Sequence, residues 1–300
     1  MPTSRMPASL SRRATLAAAL LPLAARAEPG PPAVVASFTI LADMVARIAG
    51  PAVTVTSLVP RDGDPHAFEP RPSNLGLLQR AEVVVENGLG LEGWLVRTIQ
   101  ASGFKGVRIT ASAGIAPRRL DEDGKTVPDP HIWQDPVLGQ RMVANIADGL
   151  ARAFPARQAE IRAAAAAYAA ELKQVDAAIE QALSAVPKAN RKVLTTHDAF
   201  GYYGARYGIS FIALQGISTD AEPSARALAR VAARARAEKI GTVFLENMTD
   251  PRLAQALARE AGLRVGPKLY SDSLSPEDGP APTYLDLLRY NTAQLVAAMA

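Results

Sequence analysis

Short β-rich runs alternate with amphipathic stretches along the chain from residue 33 onward. Short runs rich in Val and Ile indicate strands, and apolar residues that recur every three or four positions indicate helices. In the first half, this pattern predicts strands at 33–38, 53–59, 82–86 and 107–110, and helices at 40–48, 91–100 and 136–154. In the second half, it predicts strands at 192–195, 210–214, 242–245 and 264–269, and helices at 200–207, 223–237, 251–261 and from 283 to the end. Such alternation is typical of an α/β protein with mostly parallel sheets.

A very different segment separates the two halves. Residues 155–186 contain no glycine and no internal proline, and they are rich in alanine with Glu, Gln, Lys and Arg. This composition predicts one uninterrupted helix of roughly 45 Å, at about 1.5 Å per residue. An Ala-rich surface helix would look similar, but the midpoint position favours a rigid link between two Rossmann-like lobes. We therefore predict an N-terminal lobe at 28–154, a linking helix at 155–186 and a C-terminal lobe at 187–300.

The first 27 residues have the three parts of an export signal. Arg5, Arg12 and Arg13 precede an apolar run at 15–24, and the segment ends in Ala-Arg-Ala at 25–27. The apolar run is too short to span a bilayer. We expect a signal peptide that is cleaved after residue 27. The paired arginines resemble a twin-arginine signal, although the general secretory route fits as well.

Composition narrows the function classes. The chain has 33 Lys and Arg against 29 Asp and Glu, and four of the arginines lie in the first 27 residues, which hold no acidic residue. The predicted mature chain is therefore formally neutral, which gives no reason to expect nucleic-acid or anionic-membrane binding. The chain has no cysteine. This excludes a thiolate metal site, a cysteine nucleophile and a cysteine-linked lipid anchor, and leaves His, Asp, Glu and backbone oxygens as metal ligands.

The chain has only three histidines, and each has an acidic residue within two positions. His66 and His131 each end an Asp-Pro-His sequence, and His197 is followed by an aspartate. A lone histidine is more often a loop residue than a ligand, but all three lie in or next to loops at the predicted carboxyl ends of strands, where α/β sheets collect their ligands. Asp272 follows the strand at 264–269 and is a fourth candidate, with turn or helix capping as its alternative role.

These four side chains form a set of three nitrogens and one oxygen, two from each half of the chain. Such a set suits a tetrahedral metal site that closes across a cleft between lobes. The chain has no short-spaced pair such as His-Glu-x-x-His, so spacing alone leaves the loop interpretation open.

Several motifs occur in order along the whole predicted mature chain. They are Ala-Ser-Phe-Thr-Ile-Leu-Ala-Asp-Met at 36–44, Asp-Pro-His at 64–66 with Glu69, Asn-Gly-Leu-Gly-Leu-Glu-Gly-Trp-Leu at 87–95, Asp-Pro-His-Ile-Trp at 129–133, Thr-Thr-His-Asp-Ala-Phe-Gly-Tyr at 195–202, Gln-Gly-Ile-Ser-Thr at 215–219 with Glu-Pro-Ser at 222–224, and Tyr-Ser-Asp-Ser-Leu at 270–274. On these motifs the chain resembles the periplasmic zinc- and manganese-binding proteins of ABC importers, the TroA/ZnuA-type solute-binding family.

The resemblance implies two α/β lobes bridged by a long helix, with the metal site in the cleft between them. It places His66, His131, His197 and Asp272 at the family's four metal-ligand positions. It also implies a periplasmic protein that delivers its metal to an ABC permease in the inner membrane. We expect a monomer without a lipid anchor, and an adhesin or surface role is a further alternative known among relatives.

Zinc is the expected metal and manganese the second candidate. Three imidazoles and one carboxylate suit tetrahedral Zn²⁺, whereas Mn²⁺ prefers more oxygen ligands. The chain lacks the long His- and acid-rich loop and the cysteine pair of some zinc-specific members, while manganese-specific members often have Glu at the position of His197. Because histidine binds metal only when neutral, we expect affinity to fall steeply below about pH 6.

Two alternatives use the same residues differently. A zinc-dependent hydrolase would keep three histidine ligands and an open water position, with Glu69 or Glu246 as base, although Asp272 as a fourth ligand would close that position. A serine hydrolase lacks its Gly-x-Ser-x-Gly motif. Five further residues are either neighbours of the ligands or packing residues: Trp133, Tyr202, Tyr203, Glu246 and Asn247.

A glycine motif after the third predicted strand is a separate candidate. Gly88, Gly90 and Gly93 match the spacing of the dinucleotide-binding fingerprint and stand between a predicted strand and a predicted helix. The fingerprint also needs an acidic residue after the next strand, to bind a ribose. Ala111 and Ser112 stand there instead, which argues against a dinucleotide site.

Overall fold

A four-stranded parallel sheet forms the centre of the first lobe. The computed structural model describes residues 30–122, 124–219 and 223–300, together with residues 1 and 3, so the predicted signal peptide lies essentially outside the described residues. The strands are β1 (Ala33–Ala36), β2 (Thr54–Ser57), β3 (Val83–Glu86) and β4 (Val107–Thr110), in the order β2-β1-β3-β4. The central strands β1 and β3 are rich in valine and mostly buried, as expected for strands that are covered on both faces.

Helices and a hairpin surround this sheet. The helices are α1 (Thr39–Ala49), α2 (Pro72–Arg80), α3 (Leu95–Ser102) and α4 (Pro136–Ala153). The hairpin pairs β5 (Arg119–Glu122) with β6 (Lys125–Pro128) in antiparallel register. Asp135 caps α4 by accepting the backbone N–H of Val137, and Pro136 occupies the first helical position. Both features fix the start of the helix that follows His131.

The second lobe repeats the parallel sheet. Its strands are β7 (Lys192–Thr195), β8 (Ser210–Ala213), β9 (Thr242–Glu246) and β10 (Arg264–Leu269), in the order β10-β9-β7-β8. Its helices are α6 (Gly201–Tyr207), α7 (Ala225–Ala237), α8 (Pro251–Ala261) and α9 (Tyr284–Met299). The α7 and α8 helices cover a small core around Leu194, Val243 and Leu257.

One long helix, α5 (Gln158–Ser184), joins the lobes. Its 27 residues give a length of about 40 Å. Buried residues recur every three or four positions along one face, from Ile161 to Leu183, and this face packs on α1 and α4 of the first lobe and on α9 of the second. Asp176 accepts hydrogen bonds from Arg206 and Tyr207, which ties the helix to α6. The linking helix of the predicted fold is therefore present.

The structure differs from the sequence prediction at α2, α3, α5 and the β5–β6 hairpin. The sequence pattern missed α2 and the β5–β6 hairpin. Helix α3 begins at Leu95 rather than at residue 91, because residues 89–94 form turns, in which the Leu91 N–H donates to the Gly88 carbonyl at 3.3 Å and the Leu95 N–H donates to the Glu92 carbonyl at 3.0 Å. Helix α5 begins three residues late, after a 3₁₀ turn at Pro155–Arg157, and ends at Ser184.

Residues Pro31–Ala300 form one compact unit, so the two lobes share an extensive interior. The larger core cluster runs from Val34 in β1 through α5 to Met299 in α9. The lobe boundaries that we drew at residues 154 and 186 stay predictions. Within the described residues, no helix is both long enough and apolar enough to cross a bilayer.

Candidate metal centre

The side chains of His66, His131, His197 and Asp272 converge between the lobes. His66 Nε2 lies 3.2 Å from His131 Nε2, and Asp272 Oδ2 lies 3.4 Å from His66 Nε2 and 3.1 Å from His197 Nε2. One ligand atom from each residue lies within 4.8 Å of all the others. The structure therefore brings together all four residues that the sequence singled out.

Burial makes this cluster chemically unusual. The side chains of His131, His197 and Asp272 are fully buried, and that of His66 is 4% exposed. Neither carboxylate oxygen of Asp272 accepts a hydrogen bond within the described residues. A buried carboxylate is costly without a positive partner. In the metal-free chain His131 and His197 supply that partner, and a cation bound among the four side chains would replace them.

Three of the four residues lie where the sequence pattern placed them. His66 follows β2, His197 follows β7 and Asp272 follows β10, each just beyond the carboxyl end of a parallel strand. His131 differs, because it follows the β5–β6 hairpin rather than a strand of the main sheet. The hairpin returns the chain from the end of β4 to the cleft.

An aspartate orients His131. Asp129 Oδ1 lies 2.8 Å from His131 Nδ1 and also accepts the backbone N–H of His131 at 3.0 Å. Arg118 donates to the other oxygen of Asp129 at 3.1 Å, and the Tyr202 hydroxyl donates to the Asp129 carbonyl at 2.9 Å. With Nδ1 held by a carboxylate, Nε2 faces the cluster in the geometry that metal-binding histidines commonly have.

Glu246 plays the same part for His197. Its Oε2 lies 2.5 Å from His197 Nδ1, while Oε1 accepts from the Thr196 hydroxyl at 2.6 Å and from the His197 backbone N–H at 2.8 Å. All of these groups are buried. Glu246 is therefore an orienting partner of His197, and this is not the position of a general base that activates water.

Hydrogen bonds from side chains to backbone carbonyls fix the segment that carries Asp272. Trp133 Nε1 and Gln134 Nε2 each donate to the Ser271 carbonyl at 2.8 Å, and Asn247 donates to the Ser273 carbonyl at 3.2 Å. The bonds from Trp133 and Gln134 join the second-lobe ligand to the first-lobe segment just after His131. Of the five suggested neighbours, Trp133, Tyr202 and Tyr203 all belong to the buried core, and the Tyr203 hydroxyl bonds Thr292 at 2.8 Å.

The electrostatics of the cluster favour bound protons in the metal-free chain. Burial alone would lower the pKa of His131, but Asp272 and Asp129 outweigh burial and raise it to about 9. Burial likewise opposes a charge on His197, yet Glu246 and Asp272 hold its pKa well above the usual value. Burial would raise the pKa of Asp272, but His197 and His131 hold it well below its usual range. Protons therefore compete with metal at a higher pH than the value of about 6 expected from the sequence.

Sequence reasoning missed several supporting contacts. Arg118 stands beside a hairpin that the pattern did not predict, and its ion pair with Asp129 had no sequence signal. Thr219 of the second half donates to Asp64 Oδ2 at 2.5 Å, while Asp64 Oδ1 accepts the backbone N–H of His66 at 2.8 Å. Thr219 ends the Gln-Gly-Ile-Ser-Thr motif at 215–219, which was the available signal.

A cavity of about 340 Å³ opens beside His66. Leu91 and Pro130 of the first lobe and Ile217 of the second lie in its wall. Because His66 is the one ligand candidate with an exposed fraction, this cavity connects the cluster with solvent.

Comparison with known proteins agrees with this geometry. The family described as zinc-uptake complex component A, periplasmic (ZnuA) matches residues 34–298, which is most of the chain. The chain belongs to the ZnuA family. Similar members include the iron-binding protein YfeA of Yersinia pestis, 31% identical over 257 residues, which cover 85% of this chain and 82% of YfeA. The zinc-binding protein TroA of Treponema pallidum is 29% identical over 279 residues, which cover 90% of each chain.

Solved structures show the ZnuA-family fold. Periplasmic zinc-binding TroA from Treponema pallidum superposes with a TM-score of 0.85 at 28% identity, covering 90% of this chain and all of TroA. A manganese-bound periplasmic metal-binding protein from Candidatus Liberibacter asiaticus gives a TM-score of 0.81 at 28% identity, with the same coverage. The predicted fold class, two lobes with parallel sheets and a helical connection, is confirmed.

Membership of the ZnuA family corrects one alternative. The family consists of metal-binding substrate-binding proteins of ABC importers, and the zinc-hydrolase interpretation is not supported. The candidate bases agree with this, because Glu246 is bonded to His197 and Glu69 is exposed, outside the ligand cluster. The prediction of a metal-binding transport protein is confirmed.

Proposed function

We propose that His66, His131, His197 and Asp272 bind one divalent transition metal, which this chain captures for import. The observation that carries the proposal is the convergence of four ligand atoms within 4.8 Å around a buried carboxylate that accepts no hydrogen bond. Asp129 and Glu246 aim two of the imidazoles at the common centre. Four protein ligands leave no open position for a reacting water, which fits capture rather than catalysis.

We propose zinc as the metal and manganese as the second candidate. Three imidazole nitrogens and one carboxylate match the tetrahedral preference of Zn²⁺. Both oxygens of Asp272 face histidine nitrogens, at 3.7 Å from His131 and 3.1 Å from His197, so a bidentate carboxylate would give the higher coordination number that Mn²⁺ prefers. Relatives are named for iron, manganese and zinc, so their names do not distinguish the metals. The choice of zinc therefore rests on the ligand atoms of this chain.

We further propose that the chain works in the periplasm and delivers its metal to an ABC permease in the inner membrane. The basic and apolar segments before residue 27 support export, and Arg12-Arg13 supports the twin-arginine route. Some relatives are named lipoproteins. This chain contains no cysteine to carry such a lipid, and its monomeric state stays a prediction.

Metal counted per chain tests this function. The protein is purified without affinity tags from its native periplasm, and zinc, manganese and iron are measured by elemental analysis. We expect close to one zinc per chain. One manganese or iron per chain would overturn the zinc assignment, and a metal-free protein that also fails to bind zinc in calorimetry would overturn metal capture itself.

Two variants locate the site across the cleft. His66→Ala removes a first-lobe ligand and Asp272→Ala removes the second-lobe carboxylate, so each should weaken zinc binding strongly. Glu69→Ala is the control, because this exposed residue lies outside the cluster. Unchanged affinity in Asp272→Ala would remove the second lobe from the site.

A further inference from the structure

One loop of the first lobe contacts both Asp-Pro-His segments. This bridging loop, residues 87–94, joins β3 to α3. Its last residue, Trp94, donates from Nε1 to the Pro65 carbonyl at 2.8 Å, and its first residue, Asn87, donates from Nδ2 to the Pro130 carbonyl at 3.0 Å. Both acceptors belong to the proline that immediately precedes a ligand histidine. The two ends of the loop therefore hold the backbones of the two first-lobe histidine segments.

A buried carboxylate holds this loop. Glu92, with 7% of its surface exposed, accepts three hydrogen bonds: from the Ser37 hydroxyl at 2.6 Å, from the Asn87 N–H at 2.7 Å and from the Gly88 N–H at 3.2 Å. Ser37 is itself fixed to the sheet, since its N–H donates to the Val85 carbonyl at 2.9 Å. Burial raises the pKa of Glu92 to about 7, so the carboxyl depends on these three donors to carry its charge.

The bridging loop needs such an anchor because its backbone is strained. Gly88, Leu89 and Gly90 have φ angles of 81°, 58° and 86°. Glycine adopts this left-handed region freely, but leucine does not. The glycine motif that resembles a dinucleotide fingerprint therefore has another use here, because Glu92 already occupies the N–H groups at the start of the loop.

We propose that Glu92 is a positioning residue for metal binding, which sets the separation of His66 and His131 by holding the bridging loop. The inference rests on the proposed function, since it assigns the loop to the same metal site. Each histidine segment is also fixed internally, because Asp64 and Asp129 accept the histidine N–H groups. With both segments held to one loop, the Nε2 atoms of the two imidazoles are already 3.2 Å apart before metal enters, and less ordering free energy opposes binding.

Two variants test this chain of contacts at different points. Glu92→Gln keeps the side-chain shape but places an NH₂ group against one of the N–H donors. Trp94→Phe removes the donor to Pro65 while an aromatic ring remains to pack on Phe68, whose ring centre lies 4.9 Å from that of Trp94. Asp176→Asn is the matched control, because Asp176 is a buried carboxylate that bonds Arg206 and Tyr207 at the contact of α5 with α6.

The measurements are zinc affinity by chelator competition and the visible spectrum of the Co²⁺-loaded chain, which depends on ligand geometry. We expect both loop variants to lose about 10-fold or more in zinc affinity and to change the Co²⁺ bands, as found when groups that orient metal ligands are altered. Asp176→Asn should lower the melting temperature but keep affinity and spectrum. Thermal melts show that each variant is folded.

The outcomes separate this inference from the function on which it rests. If the wild-type chain binds zinc and Glu92→Gln keeps wild-type affinity and Co²⁺ bands, the positioning role is overturned while metal capture stands. An equal affinity loss in Asp176→Asn would also overturn it, because the effect would then reflect general stability. A wild-type chain that binds neither zinc nor Co²⁺ overturns the proposed function.

Discussion

Zinc binding at pH 7.5 should release about one proton from His131, with a further contribution from His197. Imidazole nitrogens bind metal only in the neutral form, so every proton on a ligand histidine must leave. In the metal-free chain, burial opposes a charge on His131, but Asp272 and Asp129 raise its pKa to about 9. The pKa of His197 lies well above its usual value, because Glu246 and Asp272 outweigh burial. The His131 ring therefore carries an extra proton near neutral pH, and the His197 ring is more protonated than an ordinary imidazole.

The size of the effect follows from these values. A group with a pKa of about 9 is about 97% protonated at pH 7.5, whereas an imidazole at the ordinary pKa of about 6.5 is about 10% protonated. His131 should thus release about 1 proton rather than about 0.1, and His197, whose pKa is also raised, adds to this count. With about one proton displaced from His131, the apparent zinc association constant should rise about 10-fold or more between pH 7 and pH 8.

Calorimetry measures this count directly. Zinc is titrated into metal-free chain at pH 7.5 in buffers with different ionisation enthalpies, and the slope of observed heat against buffer enthalpy gives the protons released. Glu246→Gln removes one of the charges that raise the pKa of His197, so its proton count should be lower than that of the wild type. A wild-type release below about 0.5 proton would refute the electrostatic reasoning.

Three further predictions concern stability. The pKa of His131 is raised above its unfolded value, so its stabilising contribution is complete below about pH 6.5 and is lost as pH rises through about 9. The metal-free chain should therefore melt at a lower temperature at pH 9.5 than at pH 6.5. An unchanged melting temperature would contradict this. Zinc at 1,000 times its dissociation constant should stabilise the fold by about 4 kcal/mol, measured by chemical denaturation with and without a chelator. Gly149→Ala should destabilise the fold by about 1–3 kcal/mol in the same assay, because the new Cβ would overlap the side chain of Ile109. Gly241→Ala is the control and should change the stability little, because no atom lies within 4 Å of its Cβ.

Sequence pattern predicted the sheets better than the connections between them. Strands such as β4 and β7 are short apolar or β-branched runs between turns, and their bounds match the prediction. The β5–β6 hairpin was missed because its strands carry charged residues at both faces, and an Asp-Gly pair at 123–124 was the one turn signal. Helix α3 was placed too early, because residues 89–94 form turns that the sequence pattern did not predict.

The three histidine candidates could be named from the sequence because histidine is rare in this chain, and Asp272 because it follows a predicted strand. Their orienting partners were harder to identify. Asp129 lies two residues from His131, but Glu246 lies 49 residues from His197 and reaches it through the pairing of β9 with β7. The role of Glu92 depends on burial and on three hydrogen-bond donors, of which the Ser37 hydroxyl is 55 residues away and the other two are backbone N–H groups of the same loop. Only the folded chain therefore reveals this role.

The most direct test of the central claim is the crystal structure of the zinc-loaded chain, with anomalous diffraction measured at the zinc edge. We predict one strong peak between the lobes, about 2.0–2.2 Å from the Nε2 atoms of His66, His131 and His197 and from a carboxylate oxygen of Asp272. A peak elsewhere on the molecule, or one that any of these four residues does not reach, would contradict the assignment of the metal site.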